Sequence, residues 1–259
     1  MINIVKVGGG IIENEKDLSA FLTSFSQIPG KKILIHGGGR LATKFAEQLG
    51  ISTKMIEGRR VTDDAMLEVV TMVYGGLANK KIVAALQANK INALGLSGAD
   101  GNIIKAHKRP VKEVDYGWVG DIDEINTDLL LTLLDNDIVP VIAPLTHNGE
   151  GKMLNTNADT IASAVASAIS TKAETQLVLG FELDGVLVDP KDKTSVINKI
   201  TPQLFEEYKN SGVITDGMIP KLSNAFDAIS AGVSAVKICN ALKISDAVLQ
   251  NNVGTTITK

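Results

Sequence analysis

The sequence predicts an α/β fold with a mainly parallel central β-sheet. Two observations lead to this prediction. Near the start of the chain, a short apolar strand, a glycine turn and a helix follow one another twice in succession, as in a doubly wound sheet. The apolar runs of these strands are also close to continuous, which is typical of strands covered on both faces of a parallel sheet.

The first strand runs straight into a glycine turn, and a lysine lies within it. Lys6 sits among the apolar residues of Ile4–Val7, and Gly8-Gly9-Gly10 follows at once. A lysine in a buried strand loses its hydration and must find an anion or another partner. Glycine N–H groups leave room for a ligand to approach. The stretch therefore indicates a phosphate-binding turn; a strand end whose lysine reaches out to solvent is the alternative.

The second unit repeats this order, with a strand over Ile33–Ile35 and the turn His36-Gly37-Gly38-Gly39. The segment 15–27 joins the two units, and it is predicted to be a helix because its apolar residues form one stripe. Periodicity, caps and turn residues predict the other elements. These are a helix over 41–49, an extended segment over 55–61, a helix from 62 to about 88 interrupted at 75–76, a strand over 92–96, a β-hairpin within 102–122, a helix over 128–134, a strand over 138–142, a helix over 157–170, strands over 176–179 and 186–188, helices after Thr201 and Met218, and strands over 235–238 and 255–258.

Composition and charge exclude several classes of function. The 259 residues are 44 % apolar and carry a formal net charge of −3, which predicts a folded domain and argues against a nucleic-acid partner. The single cysteine, Cys239, excludes an internal disulfide, and three scattered histidines do not suggest a metal site. No apolar run reaches spanning length and no signal peptide is evident, so we expect a cytoplasmic protein without a membrane partner.

The usual nucleotide-binding fingerprints are missing from the sequence. No G-x-x-x-x-G-K-[ST] occurs and no G-x-G-x-x-G follows a strand. This counts against a P-loop NTPase and against an NAD-dependent oxidoreductase of the Rossmann type. The two glycine turns nevertheless offer successive amide donors, which can hold an anion whose charge grows during a reaction.

Two further stretches carry polar residues that secondary structure alone does not require. Asn155-Thr156-Asn157-Ala158-Asp159 alternates three short polar side chains where a helix begins. One of them would suffice as a cap, so three indicate a polar site at a helix N-terminus, where anions are favoured. Lys221 falls in the first turns of another helix, at the end that disfavours a cation. It is therefore either part of a site or an ordinary exposed lysine.

Five motifs occur in a fixed order along the chain: Lys6-Val7-Gly8-Gly9, His36-Gly37-Gly38-Gly39, Gly58-Arg59-Arg60-Val61-Thr62, Asn155 to Asp159, and Thr215-Asp216-Gly217-Met218 to Lys221. Together they resemble the amino-acid kinase family, and within it the branch that phosphorylates an N-acylated glutamate. The resemblance implies an open αβα sandwich, usually a homodimer, with 1–259 as one domain. About 1–170 would bind the acylated amino acid and about 171–259 would bind ATP, on one shared sheet.

The resemblance also implies roles for individual residues. Lys6 and Lys221 would stabilise the transferring phosphoryl group, and Asp159 would hold these lysines in place. The residues implied for the acylated amino acid are Gly9, Gly38, Gly39, Arg60, Asn155 and Asn157. Those implied for the nucleotide are Glu182, Asp184, Gly185, Ile214, Thr215 and Asp216, with Mg²⁺ held mainly by the phosphates of ATP and no residue as a metal ligand. A carboxylate that attacks the γ-phosphorus needs alignment and charge neutralisation but no strong base.

Two positions depart from the pattern of the family. Phe181-Glu182 stands where Thr/Ser-Asp is usual before the nucleotide loop, and Arg59 stands where leucine is usual, next to Arg60. Neighbouring side chains of an extended backbone point to opposite faces, so Arg59 would face solvent. If the segment is instead a turn or lid, both arginines face the ligand. That arrangement would suit an acyl group with its own carboxylate, such as succinyl.

The leading hypothesis is ATP-dependent phosphorylation of the γ-carboxylate of an N-acylated glutamate, with N-acetyl-L-glutamate as the first substrate to consider. Arg60-Val61-Thr62 and Asn155 to Asp159 favour this branch over carbamate kinase and UMP kinase of the same family. An N-succinylglutamate kinase is an alternative. A non-catalytic sensor of nucleotide or amino acid on the same fold is another, although the presence of Lys6, Lys221 and Asp159 speaks against it.

Overall fold

The computed structural model describes residues 1–56, 58–189, 191–214, 218–250 and 252–259. Strands in these residues form one large sheet and two small ones. They are β1 (Ile2–Val7), β2 (Lys32–His36), β3 (Met55–Ile56), β4 (Arg59–Arg60), β5 (Ala93–Leu96), β6 (Ile104–Lys108), β7 (Gly120–Ile125), β8 (Val139–Ile142), β9 (Leu145–His147), β10 (Met153–Asn155), β11 (Thr175–Phe181), β12 (Lys199–Ile200), β13 (Ala235–Asn240) and β14 (Thr255–Ile257).

The helices alternate with these strands along most of the chain. They are α1 (Gly9–Glu13), α2 (Glu15–Ser26), α3 (Gly39–Gln48), α4 (Asp64–Val70), α5 (Asn79–Ala88), α6 (Thr127–Asp135), α7 (Ala158–Ser170), α8 (Pro202–Asn210), α9 (Ile219–Ser230) and α10 (Ile244–Leu249). A π-helical stretch, Thr71–Ala78, joins α4 to α5.

The large sheet has the order β12-β14-β13-β11-β1-β2-β8-β5 within the described residues. All neighbours run parallel except β13 and β14, so the predicted mainly parallel sheet is confirmed. β1 lies between β2 and β11, so β2, β5 and β8 extend the sheet on one side of it and β11 to β14 extend it on the other, which reverses the direction of growth. Such a reversal opens a crevice at the carboxyl ends of the strands.

Helices cover both faces of this sheet, which confirms the αβα sandwich. On one face, Ile4 and Leu177 pack with apolar residues of α6, α7, α8 and α9. On the other face, Val5 and Val178 pack with residues of α1, α2, α5 and α10. Ile4 and Val5 point to opposite faces of the sheet, as successive side chains of a strand do. Both are fully buried, because helices cover both faces. This burial explains the continuous apolar runs in the sequence.

Two predicted elements differ from the structure. The helix that the sequence interrupts at Gly75-Gly76 runs on from Asp64 to Ala88, because the glycines lie inside the π-helical stretch. The prediction of a strand over 186–188 is wrong. Within the described residues, this segment forms only an isolated β-bridge, between Leu187 and Val196. Its apolar character reflects burial, since Val186 packs into the core. The predicted hairpin within 102–122 is confirmed as β6 and β7.

The expectation that no apolar run reaches spanning length is wrong, because one helix of the described residues, Asp64–Ala88, is long and apolar enough to cross a membrane by length and composition. Its side chains Val69, Val70 and Ile82 are fully buried within the protein. The apolar residues of this helix therefore take part in the packed core, where such a composition is expected.

Candidate active site

The glycine turns and polar stretches meet at the carboxyl ends of β1, β2 and β11, where two cavities open. Cavity A has a volume of about 200 Å³, and its lining includes Gly38, Tyr74, Asn155 and Asp159. Cavity B has a volume of about 570 Å³, and its lining includes Gly8, Arg40, Phe181, Glu182 and Lys221. The two cavities share the residues Lys6, Gly9, Gly39 and Gly58. A ligand in one cavity therefore approaches a ligand in the other beside Lys6.

Lys6 occupies the junction of cavities A and B. Only 6 % of the residue is exposed, and its Nζ lies 2.7 Å from Oδ1 of Asp159. Asp159 stands in the first turn of α7, where the helix dipole favours a carboxylate. The buried ammonium thus has the partner that its desolvation requires, and the ion pair fixes it between the two cavities.

Lys221 approaches the same point from α9. Its Nζ lies 4.0 Å from the centroid of the Phe181 ring, and the Nζ of Lys6 lies 5.2 Å from that centroid. Burial lowers the pKa of Lys221 below its ordinary value, while the carboxylates of Asp159 and Glu182 oppose this shift. Both lysines that the sequence predicts for the site therefore lie beside one aromatic ring.

The two glycine turns pack against each other. A Cβ on Gly9 would lie 3.4 Å from the backbone nitrogen of Gly39, and one on Gly37 would lie 3.1 Å from the nitrogen of Gly9. The distance at Gly9 is an ordinary van der Waals contact, whereas the distance at Gly37 is tighter than a Cβ usually allows, so a side chain on Gly37 would push the turns apart. Gly9 and Gly39 also begin α1 and α3. Their N–H groups therefore have no acceptor within their own helices and are available to a ligand.

His36 supports the second turn from inside the sheet. Burial lowers the pKa of His36 to about 4, so the ring is neutral at physiological pH. Asn79 Nδ2 donates to the Val141 carbonyl and lies 3.2 Å from His36 Nε2. Because an amide nitrogen only donates, Nε2 accepts and the Nδ1–H group donates to the Gly37 carbonyl at 2.7 Å. The ring thus fixes the backbone that leads into Gly38.

Arg60 reaches cavity A from the hairpin formed by β3 and β4. Only 7 % of the residue is exposed. Its NH2 group donates to the Gly39 carbonyl at 2.7 Å and to Thr43 Oγ1 at 2.8 Å, and NH1 donates to Thr53 Oγ1 at 3.3 Å. These acceptors are neutral, and no carboxylate of the described residues pairs with the guanidinium. A buried cation with neutral partners favours an anionic ligand.

The three polar side chains at the start of α7 make different contacts. Asn157 is the N-cap, because its Oδ1 accepts from the backbone nitrogens of Asp159 at 2.8 Å and Thr160 at 3.1 Å. Asn155 Nδ2 instead donates to Thr62 Oγ1 at 3.0 Å. Asp159 pairs with Lys6, so one of the three residues caps the helix while all three line cavity A.

The residues predicted for the nucleotide are brought together only in part. Glu182 and Gly185 line cavity B. Asp184 and Ile214 do not belong to its described lining: Asp184 pairs with Lys243 at 3.2 Å, and Ile214 is buried in the apolar core. The predicted residues Thr215 and Asp216 lie outside the described residues.

Two side chains at the site have no clear signal in the sequence. Tyr74 lines cavity A and packs so closely on Gly38 that a Cβ there would lie 2.8 Å from its Cδ1. Burial raises the pKa of Tyr74, although nearby Arg60 opposes the shift. Arg40 lines cavity B, with its NH1 3.4 Å from Oε1 of Glu182. Only the position of Arg40 directly after the glycine turn could have suggested its place.

The arrangement suits the transfer of a charged group between two bound molecules. Cations and free amide donors converge where cavities A and B meet, and such donors stabilise charge that moves during a reaction. The fold and site define an α/β phosphotransferase that lacks a P-loop. Residues 1–240 match the model of the amino acid kinase family, and the chain belongs to this family.

Relatives of known name are similar over the whole chain. The acetylglutamate kinase of Bacteroides thetaiotaomicron is 56 % identical over 258 residues, covering 100 % of this chain and 98 % of that protein. The acetylglutamate kinase of Cytophaga hutchinsonii is 53 % identical, covering 98 % and 97 %. Among solved structures, smu.665 from Streptococcus mutans UA159 has a TM-score of 0.79 at 30 % identity, covering 99 % and 98 %. The resemblance drawn from the five motifs is thus confirmed.

Proposed function

We propose that the protein uses ATP to phosphorylate the γ-carboxylate of an N-acylated glutamate, first of all N-acetyl-L-glutamate. It would act as an acetylglutamate kinase of arginine biosynthesis in the cytoplasm. The observation that carries this proposal is the Lys6–Asp159 ion pair of 2.7 Å at the junction of the two cavities. Relatives with that name, 53 % and 56 % identical over nearly the full length, support it.

Cavity A is proposed to bind the acylated amino acid, and cavity B the nucleotide. Arg60 and Asn155 offer cavity A a buried cation and a polar side chain for a small acid. Cavity B is larger, and Phe181 and Met218 give it an apolar wall beside Lys221. In this assignment about 1–170 form the acyl-amino-acid lobe, and about 171–259 supply most of the ATP lobe on the shared sheet.

In the proposed reaction, a γ-carboxylate oxygen attacks the γ-phosphorus while the bond to the β–γ bridging oxygen breaks. ADP leaves with that oxygen, and the product is an acyl phosphate. Lys6 and Lys221 neutralise the oxygens of the transferring group, and the N–H groups of Gly9 and Gly39 donate to them. Asp159 orients Lys6. The attacking carboxylate is already ionised, so the mechanism needs no general base.

Mg²⁺ is proposed to enter with ATP, coordinated by its phosphates. It would neutralise phosphate charge during the transfer. Within the described residues, no group of three His, Cys, Asp or Glu side chains could hold a metal ion.

The test is ADP release by the purified protein with N-acetyl-L-glutamate, MgATP and hydroxylamine. Hydroxylamine converts an acyl phosphate to a hydroxamate, so hydroxamate should form in step with ADP. Carbamate, UMP and free glutamate serve as competing acceptors and should give far lower kcat/KM. ADP release without hydroxamate, or a preference for carbamate or UMP, would contradict the proposal.

A second candidate substrate carries an acyl group that ends in its own carboxylate, such as succinyl. Arg59 and Arg60 both line cavity A, although alternation along a strand predicts opposite faces. Arg59 also lines cavity C, of about 610 Å³, whose lining also includes both basic and acidic side chains: His107, Arg109, Lys112, Glu113 and Asp121. A carboxylate that extends from the acyl group of the substrate would therefore meet a second cation, Arg59, at the wall of cavity A.

We expect Arg59→Leu to lower kcat/KM for N-succinyl-L-glutamate relative to N-acetyl-L-glutamate by about tenfold, because a charge-assisted hydrogen bond is lost. Arg59→Lys is the matched control, since it keeps the charge and should retain most of the ratio. The measurement is kcat/KM for both substrates in all three proteins. If the wild type prefers acetyl and the ratio does not change in Arg59→Leu, Arg59 takes no part in acyl selection.

Exposed apolar residues at one end of the sheet support a homodimer. β5 is the terminal strand at this end among the described strands, and Leu94 on it is 40 % exposed. Met72 and Leu77 in the π-helical stretch are exposed as well. An open strand edge beside apolar side chains favours pairing with a second chain. We propose that this end of the sheet carries the dimer contact.

Analytical ultracentrifugation should therefore give twice the mass of one chain for the wild type. The double variant Leu77→Asp and Leu94→Asp should sediment as a monomer, because buried carboxylates without partners oppose association. Leu249→Asp is the control, since Leu249 is 61 % exposed on α10, which packs away from β5. A monomeric wild type, or a dimer that tolerates the double variant, would show that the contact lies elsewhere.

A further inference from the structure

The ring of Phe181 lies beside both lysines of the site. Phe181 is the last residue of β11 and pairs with Asn240 of β13. The Nζ atoms of Lys221 and Lys6 lie 4.0 Å and 5.2 Å from the ring centroid. Both distances fall within the range of about 6 Å in which an aromatic face attracts a cation.

The two lysines differ in what holds them. Lys6 has the carboxylate of Asp159 at 2.7 Å. Lys221 forms no ion pair or hydrogen bond with the described residues, so the Phe181 ring is its closest identified partner. The start of α9 disfavours the charge of Lys221, because the positive end of the helix dipole lies there. Burial disfavours the charge as well.

We propose that Phe181 is a positioning residue: its ring holds the ammonium of Lys221, and more weakly that of Lys6, at the junction of cavities A and B. The inference rests on the proposed phosphoryl transfer, in which these ammonium groups neutralise the transferring group. The apolar ring also excludes water from one side of the junction. Charges act more strongly on one another where water is excluded.

Substitutions at Phe181 can distinguish an effect of its aromatic face from an effect of its packing. Phe181→Leu keeps an apolar side chain and removes the face, whereas Phe181→Tyr keeps the face. Phe205→Leu is the matched control: Phe205 packs on Phe226 with ring centroids 5.3 Å apart, and it lines neither cavity. The same change in side chain is thus made away from the lysines.

We expect Phe181→Leu to lower kcat roughly threefold to thirtyfold, which corresponds to the loss of one desolvated cation–π contact. KM for the acylated amino acid should change little, since cavity A is intact. Phe181→Tyr should retain most of kcat, and Phe205→Leu should keep it. A kcat of Phe181→Leu within about twofold of wild type, or an equal loss in Phe205→Leu, would overturn the proposal.

The pH dependence provides a second readout. The charged groups that face Lys221 are Asp159 from α7, Lys6 from β1, and Glu182 directly after β11. Phe181→Leu leaves Lys221 desolvated without the ring's attraction, so its pKa should fall and the basic limb of kcat/KM should move to lower pH. Phe181→Ser admits water and relieves the desolvation of Lys221. The pKa of Lys221 should therefore rise, and the basic limb of kcat/KM should move to higher pH. A residue that only fills space would not produce opposite shifts.

The pKa of Lys221 can also be measured without turnover, by NMR titration of nitrogen-labelled lysines with Lys221→Arg to assign the signal. An unchanged pKa in both Phe181→Leu and Phe181→Ser would overturn the role of the ring. A wild type that forms no hydroxamate from any acylated glutamate would overturn the proposed reaction instead. The titration and the hydroxamate assay therefore distinguish the two failures.

Discussion

Replacing Lys6 by alanine is expected to lower kcat by about a hundredfold or more, with little change in KM for either substrate. The substitution removes a charged donor from a junction where the residue is only 6 % exposed. It also leaves the Asp159 carboxylate without its partner at 2.7 Å. An interaction made mainly with the transferring group is lost from the transition state, so kcat and kcat/KM should fall together.

Asp159→Asn should also reduce kcat while the protein stays folded, because the amide oxygen still accepts a hydrogen bond but lacks the negative charge that pairs with the Lys6 ammonium. Lys81→Ala is the control, since Lys81 pairs with Glu15 at 2.8 Å on the exposed surface, where such pairs contribute little. Circular dichroism and thermal unfolding establish that each variant is folded. Near-normal turnover by Lys6→Ala would refute the role assigned to this lysine.

Arg60→Lys is expected to raise KM for the acylated amino acid roughly tenfold to a hundredfold while leaving KM for ATP unchanged. Lysine keeps the charge but loses the planar fork of donors that matches a carboxylate. In Arg60 the NH2 contacts are short, whereas NH1 donates at 3.3 Å to Thr53 Oγ1 and at 3.8 Å to Met66 Sδ. A substrate carboxylate would displace these longer contacts and gain a charge-assisted hydrogen bond.

Arg40→Lys provides the matched control for this experiment. Arg40, like Arg60, lies next to the second glycine turn, but it lines cavity B beside Glu182. Its substitution should leave KM for the acylated amino acid unchanged. If Arg60→Lys raises KM for ATP and not for the acylated amino acid, the assignment of ligands to cavities A and B is reversed.

The sequence by itself determined the fold class and the elements of the site that local chemistry dictates. A strand buried on both faces must be apolar throughout, so a charged residue such as Lys6 stands out within it. Where the second turn approaches Gly9 most closely, at Gly37, a Cβ would be crowded, which favours glycine. The surplus of polar residues around Asn157 exceeded the need for one cap. Each of these signals arises within a few residues of chain.

Only the tertiary structure decided which of these residues meet. The Lys6–Asp159 pair, and the Phe181 ring beside Lys221, join elements that are distant along the chain. Alternation predicted opposite faces for Arg59 and Arg60, yet both line cavity A, because the two-residue strand β4 belongs to a small two-stranded hairpin that is not covered by a second layer on both faces. Local patterns record burial and backbone conformation, whereas contacts between distant residues depend on the path of the whole chain.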